Sequence, residues 1–229
     1  MAKHLDLEEQ EQLADIKHFW NEYGNLITWV MIAVFGAIAA WNGWQYWERT
    51  QATQAAAMYD EVERAAQAGD TTRVERAFSD MKDKFGRTTY AQQAGLLAAK
   101  TLEEKGNIDG AKAALAWVAD KASDEGYQAV ARLRLASLLV QAKAYDEALK
   151  QLSEPFPKEF EALAADRRGD VYLLQGKKPQ AQAEYTRAYK GLDDNTEYRR
   201  LVEVKLTALG VDTKQLAAAA PATAGAAKP

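Results

Sequence analysis

The segment Gly169-Asp-Val-Tyr172-Leu-Leu-Gln-Gly176-Lys-Lys-Pro179-Gln-Ala181-Gln-Ala-Glu-Tyr185-Thr-Arg-Ala188 alternates small and aromatic residues around a glycine. Counted from Gly169, Tyr172, Gly176, Ala181, Tyr185 and Ala188 fall at offsets of 3, 7, 12, 16 and 19. Three and four are the spacings that bring side chains onto one face of a helix, and a glycine between two such stripes ends the first helix. Pro179 suits the first turn of the second helix, where its missing N–H leaves no hydrogen bond unmade. Gly169, Ala181 and Ala188 let two helices approach closely, and Tyr172 and Tyr185 fill the space between them. The segment is therefore a tight antiparallel helical hairpin.

The same pattern recurs upstream. Ala136, Leu139, Tyr145, Ala148 and Leu152 make one copy, and Ala99, Leu102, Gly106, Ala111 and Leu115 another. A more degenerate copy stands at Val62, Ala65, Gly69, Val74 and Phe78. The second-helix anchors Val74, Ala111, Ala148 and Ala181 are spaced 37, 37 and 33 residues apart. These offsets are those of a tetratricopeptide repeat, a helical pair of about 34 residues, with short insertions between hairpins. Glu154-Pro-Phe-Pro-Lys158 interrupts any helix and marks one junction. After the last copy, Asp193-Asp194-Asn195-Thr196 can cap a final helix from about Glu197 to Leu209, closed by Gly210. Arg199, Arg200, Glu203 and Lys205 give that helix a charged face suited to shielding the end of the array from water. The fold class expected is all-α, with about four degenerate tetratricopeptide-like hairpins and a capping helix over residues 58–212. Residues 213–229, rich in Ala and Pro, lack the large apolar side chains that packing needs and read as disordered.

Toward the N-terminus the composition changes abruptly. The 25 residues from Tyr23 to Trp47 carry no charge. As a helix they extend roughly 37 Å, enough to cross a hydrocarbon layer of roughly 30 Å. Trp29 on one side and Trp41, Trp44, Tyr46 and Trp47 on the other sit where amphipathic rings prefer the headgroup level. A cleaved signal peptide is the competing interpretation, with Ala37-Ile38-Ala39 as a loose cleavage site. A signal peptide opens on a short basic leader, whereas here residues 1–22 hold two basic and six acidic side chains. A buried core helix seldom needs so long an uncharged run. The expected organisation is an acidic leader (1–22), an anchor helix (23–47), a linker (48–57) and the repeat domain. Lys17 and Arg49 flank the span one on each side, so the positive-inside rule returns a tie.

The formal charge of −4 lies in the leader, and the remainder is neutral with acids and bases interleaved. That leaves no electrostatic case for nucleic acid. Cysteine is absent, which excludes disulfides, thiolate metal sites and thiol nucleophiles. His4 and His18 both lie in the leader, so the repeat domain has no imidazole base or ligand. Asp166 and Asp170, one helical turn apart, read as surface solvation. The chain is expected not to be an enzyme, and no cofactor is expected.

Several elements together resemble a known family. The anchor ends in Gly43-Trp44-Gln45-Tyr46-Trp47, an Ala- and Gln-rich linker runs from Gln51 to Ala57, and Arg168-Gly169-Asp170 stands in the last of four degenerate repeats. Over roughly residues 10 to 212 this resembles the YfgM-type ancillary subunits of the bacterial SecYEG translocon. The resemblance implies an inner-membrane protein of a Gram-negative bacterium, leader in the cytoplasm and repeats in the periplasm. It implies association with SecYEG and with PpiD, a membrane-anchored periplasmic chaperone of the prolyl isomerase type. It also implies transfer of emerging client proteins to periplasmic chaperones, and links the leader to restraint of an envelope-stress response regulator. The long acidic leader and the Ala/Pro tail depart from the family pattern.

In a tetratricopeptide array the first helix of each hairpin lines a concave groove. The repeat register places Leu96, Lys100, Leu133, Ser137, Val140, Asp166, Asp170 and Leu173 there. Half are apolar, which suits an unfolded segment or a partner helix. The same leucines would serve equally to pack beneath neighbouring hairpins. Repeats that clamp a terminal carboxylate use Lys, Arg and Asn at corresponding positions, a set absent here. In the leader, Leu13, Ile16, Trp20 and Tyr23 make one apolar stripe if helical, as a continuation of the anchor or a protein contact. A scaffold for another envelope assembly, such as division or cell-wall synthesis, is the alternative that the same anchor and repeats would serve.

Overall fold

A computed structural model of the chain describes residues 7–213 and 216, so the Ala/Pro tail lies almost wholly outside the described residues. The described residues form helices and no strand. The helices are α1 (Leu7–Ala68), α2 (Thr71–Phe85), α3 (Thr89–Glu104), α4 (Ile108–Lys121), α5 (Glu125–Gln141), α6 (Tyr145–Ser153), α7 (Lys158–Leu174), α8 (Lys178–Gly191) and α9 (Glu197–Ala208). The chain divides into two compact units, residues 1–53 and 54–229.

In the first unit, α1 is helical from Leu7 through the apolar run, so the described part of the leader continues the anchor's helix. It includes the one helix among the described residues that is long and apolar enough to cross a membrane. Trp29, Trp41, Trp44, Tyr46 and Trp47 all project outward, at least half exposed. Trp44 and Trp47 tilt against each other at 5.5 Å between ring centroids. Polar side chains in the run bond to their own backbone: Thr28 Oγ1 donates to the Gly24 carbonyl at 2.7 Å and Asn42 Nδ2 to that of Ile38 at 3.0 Å. In hydrocarbon such local bonds spare the side chains the cost of an unmet donor.

The second unit is built of hairpins: the end of α1 with α2, then α3–α4, α5–α6 and α7–α8. Their turns share one hydrogen-bond pattern. Gly69, Gly106 and Gly176 take positive φ (66°, 81° and 74°), and the amide one residue later reaches back five residues. Asp70, Asn107 and Lys177 thus donate to Ala65, Leu102 and Tyr172 at 3.1, 2.8 and 2.8 Å, the C-terminal motif that satisfies orphan carbonyls. The third hairpin makes the same turn without glycine, Lys143 standing at φ 60° and Ala144 donating to Leu139. After α9 the motif appears once more at Gly210, where Val211 donates to Leu206. The capping helix α9 thus ends in the same turn as the first helices of the hairpins.

Asp70, Thr88, Asn107 and Asp124 cap the N-termini of α2 to α5 with side-chain oxygens, each worth about 1 kcal/mol. One apolar cluster runs from the end of α1 to α6, reaching Val171, and contains Val62, Val74, Leu102, Leu115, Val118 and Leu152. A second joins α7, α8 and α9 through Ala165, Tyr185, Val202 and Leu206. A methyl added at Gly169 would lie 2.5 Å from the Tyr185 ring, so only glycine permits that approach. The charged face expected of α9 is in part an inward face. Arg199 stacks 4.1 Å from the Tyr189 ring centroid and Lys205 points at α7, while Leu201 and Val204 are left exposed.

Candidate functional site

The residues expected to line a groove lie on the first helices α3, α5 and α7. On α3, Leu96 is half-buried against the core and Lys100 is exposed, its ammonium 3.8 Å from Glu104. On α5, Leu133 and Val140 are half-buried against the same core. Ser137 is exposed and its hydroxyl donates to the Leu133 carbonyl at 3.1 Å. On α7, Leu173 is 40 % exposed and Leu174 55 %. The leucine and valine of α3 and α5 therefore offer part of their surface and spend the rest on packing.

Asp166 and Asp170 behave differently, and here the expectation of surface solvation is corrected. Asp166 is fully buried. Lys205 Nζ donates to its two oxygens at 2.8 and 2.9 Å and to Asp170 Oδ1 at 2.7 Å. The Tyr198 hydroxyl donates to Asp166 at 2.6 Å and the Tyr185 hydroxyl to Asp170 at 2.8 Å. Burial, then the hydrogen bond to the carboxylate beside each, raises the pKa of both phenols far above the ordinary tyrosine value. The two carboxylates thus bind α9 to α7 and α8. Arg168 is a second tie, its guanidinium donating to Glu184 at 2.8 Å and to the Leu152 carbonyl at 2.6 Å. It joins the end of α6 to α7 and α8, which gives the Arg-Gly-Asp run a packing role.

The first helices also carry side chains that the repeat register did not single out. Tyr59 of α1, Tyr90 of α3 and Tyr127 of α5 are each half-buried on successive first helices. Tyr59 and Tyr90 lie 6.0 Å apart between centroids, and Gln93 Nε2 donates to the Tyr127 hydroxyl at 2.9 Å. The Tyr59 phenol is pushed up by burial first, then by Glu63, Tyr127 and Asp60. Tyr90, Gln93, Leu97 and Lys100 follow spacings of three, four and three, one stripe of α3. A signal was present in the sequence, since Tyr90 and Tyr127 are 37 residues apart, the spacing of the anchors Val74, Ala111 and Ala148. Among the described residues no group of three or more His, Asp or Glu side chains is placed to hold a metal ion.

A family model described as a tetratricopeptide repeat-like domain matches residues 17–211. The chain is similar to a protein of Neisseria gonorrhoeae named ancillary SecYEG translocon subunit, at 31% identity over 91% of this chain and 100% of the relative. Proteins of the same name in Escherichia coli and Aggregatibacter actinomycetemcomitans are each 28% identical over 89% of this chain, covering 97% and 98% of the relatives.

Proposed function

Because this chain belongs to the family of ancillary SecYEG translocon subunits, we propose that it is a membrane-tethered, non-catalytic scaffold that works beside the translocon. The observation that carries this reading is the pairing, in one chain, of a single apolar helix with a tetratricopeptide-like array, over the whole length of a relative of that name. The leader lies in the cytoplasm and the array in the periplasm, where it passes newly translocated clients to periplasmic chaperones together with a PpiD-like membrane-anchored partner. Leu96, Lys100, Leu133, Ser137, Val140 and Leu173 contribute to the contact surface, and Asp166 and Asp170 hold its last wall in place. The leader additionally restrains an envelope-stress response regulator. The apolar part of the inner face supports a polypeptide partner, since half-buried leucines offer area without a charge to match.

A photo-crosslinker at the exposed Ser137 position, in intact membranes, tests the scaffold role. Capture of a translocon subunit or of a periplasmic chaperone is the expected result, and capture of neither refutes it. Orientation has its own assay: protease added outside spheroplasts should remove the array and spare the leader, and protection of the array reverses the proposed topology.

A further inference from the structure

We infer that the tyrosine-lined end of the inner face, on α1, α3 and α5, receives an extended polypeptide segment carrying lysine or arginine. The inference deepens the scaffold reading and rests on it for the direction in which a client arrives.

Four aromatic rings of the repeat domain stand against the chain's own cations. Lys82 lies 5.2 Å from the Phe78 centroid, Lys177 5.9 Å from Tyr172, Arg199 4.1 Å from Tyr189 and Lys205 5.2 Å from Tyr185. Among the described residues Tyr59, Tyr90 and Tyr127 have no such cation. The acids beside them are likewise unmatched. Glu61 is held by Arg64 at 2.9 Å and by Arg73 at 2.5 Å, whereas Asp60 and Glu63 form no ion pair among the described residues. Both are exposed, and both act on the Tyr59 phenol. Ring faces carry negative quadrupole potential, and two free carboxylates add to it, so the patch is complementary to a cation on an aliphatic stem. The same charge disfavours an acidic segment or a nucleic acid.

The hydrogen-bonding groups argue for an extended partner. Gln93 and the Tyr127 hydroxyl are bonded to each other, and the hydroxyls of Tyr59 and Tyr90 have no partner among the described residues. An extended segment has backbone N–H and C=O groups in need of partners, whereas a helix has already satisfied its own. Three rings from three successive helices match several residues of a chain laid across the hairpins.

Binding of synthetic peptides to the purified full-length protein in detergent tests the inference. The probes are a fluorescent Ser/Leu/Lys peptide of extended design, its counterpart with Glu for Lys, and a helix-stapled version of the Lys peptide. The Lys peptide should bind, the Glu peptide should not, and the stapled form should bind at least tenfold more weakly. Tyr90→Ala should weaken binding about threefold to tenfold, Tyr90→Phe should keep most of it, and Glu63→Gln should weaken it and flatten its salt dependence. Binding that is equal for Lys and Glu peptides, equal for the stapled form, or unmoved by Tyr90→Ala and Glu63→Gln overturns the inference. Co-purification of the translocon with the same variants separates the two readings. Its retention alongside unaltered peptide binding leaves the scaffold and removes the patch, and its absence from the unmutated protein removes the scaffold.

Discussion

Lys205→Met isolates the charge that fastens α9, because methionine keeps most of the side chain's length and apolar stem. The lysine ammonium contacts Asp166, which is 0 % exposed, and Asp170, and the substitution leaves Asp166 with only the Tyr198 hydroxyl. Breaking a buried pair on one side costs about 3 to 5 kcal/mol. The lower end applies, since the lysine side chain itself retains 22 % of its exposure and Tyr198 still donates. Against this stand the fully buried side chains of Val202 and Leu206, worth about 3 to 6 kcal/mol together. A loss of about 3 kcal/mol therefore equals half or more of the apolar contribution that holds α9 to the last hairpin, and α9 should open locally before the hairpins unfold. Hydrogen exchange of the α9 amides should accelerate by about 100-fold with little change in α3 and α4, and the melting temperature should fall by at most about 6–12 °C. Asp166→Asn combined with Lys205→Met should recover at least half of the protection, because the stranded charge is gone. If exchange in α9 changes less than about threefold in Lys205→Met, the buried pair does not fasten the helix and the reasoning fails.

Lys143→Gly should stabilise the repeat domain by about 0.5–1 kcal/mol, since Lys143 holds the positive φ that glycine occupies at the equivalent turns; no rise in denaturation midpoint refutes this. Gly169→Ala should destabilise by about 1–3 kcal/mol, measured by urea unfolding, because the methyl meets the Tyr185 ring. The pKa of Tyr185 is higher in the fold than its unfolded value of about 10, so its stabilising neutral form is fully present below pH 10 and the benefit is lost as pH rises beyond it. Unfolding free energy measured from pH 9 to 12 should therefore fall less steeply in Tyr185→Phe, by up to about 1.4 kcal/mol per pH unit, and parallel slopes would refute the assignment.

The helical hairpins were legible because their determinants are local. Gly169 against Tyr185, the turn glycines and the caps at Asp70, Asn107 and Asp124 act within one hairpin, and their spacing is written directly in the chain. The third turn shows the limit, since Lys143 adopts the glycine conformation under the same hydrogen bonds without the glycine. Asp166 and Asp170 were illegible for another reason. Their fate depends on Lys205, 39 and 35 residues away, and a carboxylate pair one turn apart looks the same on a wet surface as in a buried network. The tyrosine patch was half legible. Tyr90 and Tyr127 keep the repeat's spacing, but Tyr59 precedes Tyr90 by 31 residues, and only the packing of α1 against α3 places its ring beside theirs.

The sequence by itself determined an apolar helix of membrane-crossing length, a chain without thiol or repeat-domain imidazole, and a series of helical hairpins. Each of these follows from composition or from spacings within a few helical turns. Only the tertiary structure decided that α9 turns charged side chains inward, that Asp166 is a buried strut, and that three tyrosines converge on one face. Those outcomes depend on which helix lies against which, and burial and charge pairing between helices take their energy from neighbours that the linear order does not specify.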